Sequence, residues 1–168
     1  MEFSRLAVRH GLCTYVSTAI RAGYKGFGNI SSLLDTALEG SNSINPDDVD
    51  MTDMTDMLTL LLNTTTVLSD ELWSLYIQNL SLIIKLTMDH DIAMRQKRIL
   101  SLILPYVHNI NPPHFTDVSW GTLFSGVVTS GAVPQNVANV RVEMVAELLA
   151  HGADPIALYK PDRTDSRL

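Results

Sequence analysis

Four short apolar clusters recur along this chain at a nearly constant distance. Each cluster consists of two neighbouring apolar residues followed, one helical turn later, by two more. The clusters begin at Tyr15, Met57, Ile99 and Met144, which lie 42, 42 and 45 residues apart. Apolar residues at i, i+1, i+4 and i+5 share one face of an α-helix. The pattern therefore predicts four helices, each with one buried face, repeated at a fixed period.

A second amphipathic segment precedes each of these helices. The four segments are FSRLAVRHG, SSLLDTALEG, DELWSLYIQNL and VSWGTLFSGVV. In the third of them Leu72, Leu75, Tyr76 and Leu80 fit the i, i+3, i+4 and i+8 spacing of one helix face. No segment alternates apolar and polar residues as a β-strand would. We therefore predict an all-α protein built from helix pairs.

We predict that the pairs form a single helical repeat domain that covers residues 1–160. Its four units lie at about 3–28, 30–66, 70–111 and 117–156. The remaining segment, 161–168, is interpreted as a polar tail.

We expect enlarged loops between the two helices of each pair. The clearest example is the polar segment 39–56, which contains five aspartates. Asp48, Asp50 and Asp53 lack the spacing, the glycine and the closing glutamate of an EF-hand calcium loop. We interpret these carboxylates as solvated groups near a helix N-terminus, which favours negative charge.

The last unit resembles an ankyrin repeat. Its sequence VEMVAELLAHGADP, at 142–155, is similar to the second ankyrin helix and its following turn, with an apolar pair, a Leu-Leu pair and Gly-Ala-Asp in that order. Gly152 can adopt the left-handed conformation that ends a helix, and Asp154 begins a turn before proline. The first unit, LAVRHGLCTYVSTAIRAGY, is similar to a whole ankyrin unit, with Gly11 at the tight connection. TLFSGVVTSG, at 122–131, also resembles the first ankyrin helix.

The chain departs from the ankyrin pattern in several places. Its period exceeds the usual period of about 33 residues, and Gly-Ala-Asp is replaced by NTTT at 63–66 and VHNI at 107–110. The ankyrin Pro and His do not follow Thr122. As a whole, the chain is similar to the degenerate ankyrin-type regions that follow NACHT-type nucleotide-binding modules in large fungal proteins. The resemblance implies a short α-solenoid of about four stacked helix pairs that binds proteins and has no catalytic residues.

The composition and charge of the chain argue against a disordered protein, a nucleic-acid-binding protein and a membrane-spanning protein. The chain has 46% apolar residues, a net charge of −6 and no cluster of Lys and Arg beyond the short stretch RQKR at 95–98, which favours a folded core and argues against nucleic-acid binding. The N-terminus lacks the pattern of a signal peptide, and the apolar runs at 57–62 and 99–107 are too short to span a bilayer. Cys13 is the only cysteine, so no internal disulfide is possible. We expect a cytoplasmic protein with no membrane insertion.

The sequence contains no constellation that is typical of an enzyme or a metal site. The five histidines lack the helical spacing or the cysteine partners of a zinc site. GYKGFGN, at 23–29, lacks the Gly-Lys-Ser/Thr ending of a phosphate-binding loop. We interpret RQKR, at 95–98, as the solvated start of a helix in which Asp89 or Asp91 pairs with Arg95. We therefore expect no enzymatic activity, no metal and no cofactor.

A second resemblance involves the two tryptophans, Trp73 and Trp120. We interpret both as packing residues, with partner anchoring as the alternative. HFTDVSWGTLFSGVVTSGAV resembles the first homology motif of Bcl-2-type survival proteins, and LSDELWSLY is faintly similar to their groove helix. That resemblance implies a helical bundle whose groove captures an amphipathic death-motif helix. It departs from the family at Thr122, where the motif has Arg, and it leaves the 42-residue period unexplained.

The function predicted from these observations is a non-enzymatic scaffold that presents a concave helical surface to a protein. In the ankyrin arrangement, exposed positions on the first helix of each pair contact the partner. The candidate partner-binding residues are Arg9, Ser74, Gln78 and Ser125. The expected partner is another protein or the other domains of a larger protein.

Overall fold

The structure is a computed structural model that describes residues 3–23, 29–41, 51–65, 67–111 and 133–154. Within these residues the chain is helical and has no β-strand, which confirms the predicted all-α class. The α-helices are α1 (Phe3–Arg9), α2 (Cys13–Arg21), α3 (Ile30–Ser41), α4 (Met51–Leu62), α5 (Asp70–Leu86), α6 (His90–Ile103) and α7 (Gln135–Ala150). One turn of 3₁₀-helix, Leu104–Tyr106, continues α6.

The helices pack in two rows. In the first row α1 contacts α3, and α3 contacts α5. In the second row α2 contacts α4, α4 contacts α6, and α6 contacts α7. Contacts of α1 with α2 and of α3 with α4 join the rows. The main neighbours of each helix in space are therefore also near neighbours along the chain.

The recurring apolar clusters form the core of the second row. All four residues of the cluster that begins at Met57, and all four of the cluster at Ile99, are at most 2% exposed. Val16 in α2 and Met144 in α7 are fully buried. Burying one such large side chain contributes roughly 1.5–3 kcal/mol to folding. The prediction that these clusters are buried helix faces is confirmed.

The turns that follow the second-row helices lie side by side and bond to one another. The Leu68 N–H, after α4, donates to the carbonyl oxygen of Tyr106, after α6, across 2.8 Å. The Asn111 side chain donates to the Gly152 carbonyl oxygen at 2.9 Å and accepts from the Asp154 N–H at 3.0 Å. These partners lie 38, 41 and 43 residues apart, close to the period of the apolar clusters.

Among the described residues, glycines in the left-handed conformation end three helices. Gly11, Gly23 and Gly152 follow α1, α2 and α7 with φ of +66°, +63° and +90°. After α7 the Ala153 N–H donates to the Leu148 carbonyl oxygen at 3.0 Å, as in a Schellman motif. The prediction that Gly152 ends its helix in this conformation is confirmed.

The prediction of enlarged loops is wrong for two pairs. Only residues 10–12 separate α1 from α2, and only residues 87–89 separate α5 from α6. The extra length of the third unit lies in its helices, since α5 has 17 residues and α6 has 14, against 7 in α1 and 9 in α2. Segment 42–50 and the predicted first helix of the fourth unit lie outside the described residues.

Candidate partner-binding surface

The structure describes three of the four predicted contact residues, and these three have different environments. Arg9 is exposed at the end of α1, and Gln78 is exposed on α5. Ser74 is only 9% exposed, so the expectation of an exposed position is wrong for this residue. Ser125 lies outside the described residues. Because α3 lies between α1 and α5 in the first row, the structure groups Ser74 with Gln78 and places Arg9 elsewhere along the row.

Ser74 and Gln78 line one open hollow beside α5. The hollow has a volume of about 320 Å³, and its described lining residues are Asp70, Glu71, Ser74, Leu75 and Gln78. Residues three and four apart on a helix are neighbours, so these five form a continuous strip along the first turns of α5. We call this set the α5 strip.

Contacts at Trp73 fix which face of α5 carries the strip. Trp73 is fully buried, and its indole Nε1–H donates to the Ile110 carbonyl oxygen across 3.0 Å. Its ring stacks on that of Tyr76, with the centroids 6.0 Å apart. At the start of the helix the Ser69 side chain accepts a hydrogen bond from the Leu72 N–H at 3.3 Å. Trp73 is therefore a packing residue, as predicted, and it holds the α5 strip on a different side of the helix.

The Ser74 hydroxyl is the unusual group in the strip. Within the described part of the chain, its Oγ is buried and has no hydrogen-bond partner. On the same helix the Ser81 hydroxyl donates to the Ile77 carbonyl oxygen one turn earlier, at 2.8 Å. A buried hydroxyl without a partner costs about 1–3 kcal/mol. A polar group that entered the hollow and bonded to Ser74 would remove this cost.

Negative charge and an apolar side chain complete the strip. Asp70 and Glu71 lie in the first turn of α5, where the helix dipole favours carboxylates. Leu75 is 41% exposed and offers an apolar contact. This combination suits a basic side chain with an apolar neighbour. Sequence reasoning missed Asp70 and Glu71, although they lie four and three positions before Ser74. It placed Leu75 on the buried face of the helix with Leu72, Tyr76 and Leu80, and for Leu75 that prediction is wrong.

The basic stretch 95–98 is not the solvated helix start that the sequence predicts. Arg95 is 8% exposed and Gln96 is 1% exposed. Burial lowers the pKa of the Arg95 guanidinium, while the nearby Asp89, predicted as its partner, acts in the opposite direction. Lys97 forms an ion pair with Glu143 of α7. This stretch therefore joins α6 to its neighbour in the second row.

Across residues 3–23, 29–41, 51–65, 67–111 and 133–154, no helix is long and apolar enough to cross a bilayer. In the same ranges, no three His, Cys, Asp or Glu side chains lie together as ligands for a metal ion.

Comparisons with protein-family models, with curated proteins and with solved structures gave no match to the chain. The ankyrin and Bcl-2 resemblances therefore stay predictions that rest on the residues. Trp120 and Thr122, which carry the Bcl-2 resemblance, lie outside the described residues. Trp73, in the segment similar to the groove helix, belongs to the core.

Proposed function

We propose that this chain is a non-enzymatic scaffold, built as a short stack of ankyrin-like helix pairs, that binds a protein partner. Two features support the stack. The first is the sequential packing in two rows, and the second is the bonding between successive turns at intervals of 38–43 residues. Both features are expected when each unit has an apolar face that only its neighbours can bury.

The binding role rests on the open, acidic hollow that the α5 strip lines, together with the Ser74 hydroxyl, which has no hydrogen-bond partner among the residues that the structure describes. A partner that presents Arg or Lys beside an apolar residue can pair with Asp70 or Glu71 and cover Leu75. A guanidinium has enough donors to bond to Ser74 at the same time. Charged contacts of this kind give specificity and a faster association rate more than they give affinity.

Quantitative affinity capture with matched charge reversals tests the proposal. The wild-type protein, Glu71→Lys and Asp91→Lys are each immobilised and exposed to the same extract of the source organism. Glu71 and Asp91 are both exposed acids in the first turn of a helix, so both changes lose the same helix-dipole interaction. Asp91 lies on α6, in the second row. A partner of the α5 strip should be captured equally by wild type and Asp91→Lys, and at least about tenfold less by Glu71→Lys.

Two outcomes would overturn the proposal. Equal capture by all three proteins would show that the α5 strip is not the contact surface, and equal loss from both variants would indicate a diffuse charge effect.

The stack has a separate test in small-angle scattering. A compact globule of 168 residues should have a radius of gyration of about 15 Å. A value near 15 Å would contradict the stack and favour the Bcl-2-like bundle.

A further inference from the structure

The described exposed residues of α5 lie in one line along the helix. They are Glu71, Leu75, Gln78, Leu82 and Leu86. Successive members are three or four positions apart, so all of them share one narrow face of the helix. Since a helix rises about 1.5 Å per residue, this face is roughly 22 Å long. The hollow described above therefore occupies only the first half of a longer exposed face.

The second half of this face is apolar. The part after Gln78 has Leu82, which is 56% exposed, and Leu86, which is 64% exposed. The nearby Ser81 hydroxyl is buried and already donates to a backbone carbonyl oxygen one turn earlier. We call Leu75, Leu82 and Leu86 the leucine line. Exposed leucines in a continuous row are of the kind that marks a protein contact.

The charge of the face is confined to one end. Glu71 is the only charged residue among the five, and Asp70 lies directly before it. Neither carboxylate has an ion-pair partner within the described part of the chain, where the recorded ion pair joins Lys97 to Glu143. A complementary partner therefore has a cation at one end of its contact surface and apolar side chains along the rest.

The apolar half of the face suits a helix better than an extended segment. An extended segment would bury its backbone N–H and C=O groups against leucine side chains, which offer them no hydrogen bond. A helix satisfies these groups internally and presents apolar side chains at the same intervals of three and four residues as the leucine line. Helices that lay an apolar face on a partner in this way are a common mode of recognition.

We propose that the segment bound by the α5 strip is an amphipathic helix that lies antiparallel to α5, with its apolar side chains on the leucine line. An arginine or lysine in its last turn lies beside Asp70 and Glu71. The inference rests on the proposed function and adds the shape of the partner, its direction and the second half of the contact. The direction follows from charge, because a cation in the last turn of a helix is stabilised by the dipole of that same helix.

Fluorescence anisotropy with two synthetic peptides tests this proposal on the whole chain. Both are alanine-rich peptides of about 20 residues, which is long enough for a helix to form, with leucines at i, i+4, i+7 and i+11. The first peptide has two arginines in its last turn. The second has the same composition with the arginines in its first turn. The wild-type protein should bind the first peptide at least about tenfold more tightly than the second.

Substitutions in the protein test the two halves of the contact separately. Leu82→Lys alters the apolar half and Glu71→Lys the acidic end, and each should weaken binding of the first peptide at least about tenfold. Leu149→Lys, at a leucine of α7 that is 43% exposed, is the matched control and should bind like the wild type. Because leucine and lysine have similar helix propensities, neither leucine substitution should change the midpoint of urea unfolding.

Four results would overturn the proposal. They are binding of neither peptide, equal binding of both peptides, and unchanged binding by Leu82→Lys or by Glu71→Lys. A urea midpoint that falls for Leu82→Lys and not for Leu149→Lys would also contradict it, since another part of the same chain would then cover Leu82. Self-association of the wild type that Leu82→Lys abolishes would assign the leucine line to a second copy instead.

Affinity capture from the extract separates this inference from the proposed function. A helical partner should be lost with Leu82→Lys as well as with Glu71→Lys. A partner that is lost with Glu71→Lys and fully captured by Leu82→Lys would overturn the inference and leave the proposed function intact. Equal capture by both variants and the wild type would overturn the proposed function itself.

Discussion

The guanidinium of Arg141 on α7 donates a hydrogen bond across 2.8 Å to the carbonyl oxygen of Thr87, the residue that ends α5. The two residues are 54 positions apart, and both are buried. Carbonyl groups at the end of a helix lack partners within the helix and carry partial negative charge. Arg141 supplies both a hydrogen-bond donor and a positive charge to this end of α5. It also connects a second-row helix to the end of a first-row helix.

Arg141→Met should lower the free energy of unfolding by about 1–3 kcal/mol, because it leaves the buried Thr87 carbonyl oxygen without this donor while keeping most of the apolar volume. Urea denaturation followed by circular dichroism measures the change. Arg98→Met is the control, since Arg98 is exposed on α6 and should change stability by less than about 0.5 kcal/mol. Equal effects of the two substitutions would show that the Thr87 contact contributes nothing of its own.

Asn111 should be more tolerant of aspartate than of leucine. Asn111→Leu removes both the donor to Gly152 and the acceptor for the Asp154 N–H, whereas Asn111→Asp keeps the acceptor. Each bond contributes about 0.5–1.5 kcal/mol, so the leucine variant should lose roughly twice as much stability. Amide hydrogen exchange at Asp154 checks the mechanism, because protection should disappear in the leucine variant and persist in the aspartate variant. Protection in both variants would contradict it.

Tyr76→Phe should not destabilise the protein at neutral pH. The Tyr76 hydroxyl is buried and has no hydrogen-bond partner in the part of the chain that the structure describes, so its removal should be neutral or stabilising by up to about 1 kcal/mol. Tyr106→Phe is the opposite case, because the Tyr106 hydroxyl donates to Asn63 Oδ1 at 3.2 Å. That variant should lose about 0.5–1.5 kcal/mol. A stability loss in Tyr76→Phe as large as that in Tyr106→Phe would refute this prediction.

The same tyrosine should contribute to alkaline denaturation. Burial raises the pKa of Tyr76 well above its ordinary value, and the Glu147 carboxylate adds to the rise. In the unfolded chain tyrosine ionises at about pH 10. Above that pH the unfolded state releases a proton that the folded state keeps, so stability falls as pH rises, by up to about 1.4 kcal/mol per pH unit. Tyr76→Phe should reduce this slope, as measured by urea unfolding on both sides of about pH 10.

Substitutions at Gly152 should rank by their tolerance of positive φ. Gly152 has a φ of +90°, and an added Cβ would meet only Ile110 Cγ2, at 3.9 Å. The cost is therefore conformational and not steric. Gly152→Asn should lose the least stability, Gly152→Ala about 1–2 kcal/mol, and Gly152→Val the most. The reverse order in thermal unfolding would mean that this turn does not keep its left-handed conformation.

Periodicity predicted the second-row helices well because their buried faces are made of residues that are apolar by themselves. The clusters at Met57 and Ile99 need no knowledge of the partner helix to be recognised as core. The glycine that ends α7 was equally visible, since a left-handed backbone strongly favours that residue type. Such features are properties of a single segment.

The sequence did not predict features that depend on contact with a second segment of the chain. Gln96 lies three residues after Ala93 and three before Ile99, so its position on the buried face of α6 was visible, but its polarity suggested solvent. The acceptor for Arg141 is a backbone carbonyl oxygen. Because every residue has such an oxygen, the sequence does not indicate which one accepts the bond. Ser74 lies among Leu72, Trp73, Leu75 and Tyr76 in a helix that is apolar on several faces. Residue type alone could not show which of these faces stays open.

The packing of each helix mainly against its near neighbours along the chain also determines the order in which the molecule unfolds. Among the helices that the structure describes, α2 and α7 each have one main neighbour in the second row, while α4 and α6 have two. The ends can therefore open without disturbing the middle. Local opening should therefore require less free energy at the ends than between α4 and α6. Unfolding would then spread inward from the ends, and under a steady pull the chain would yield unit by unit instead of in one cooperative event.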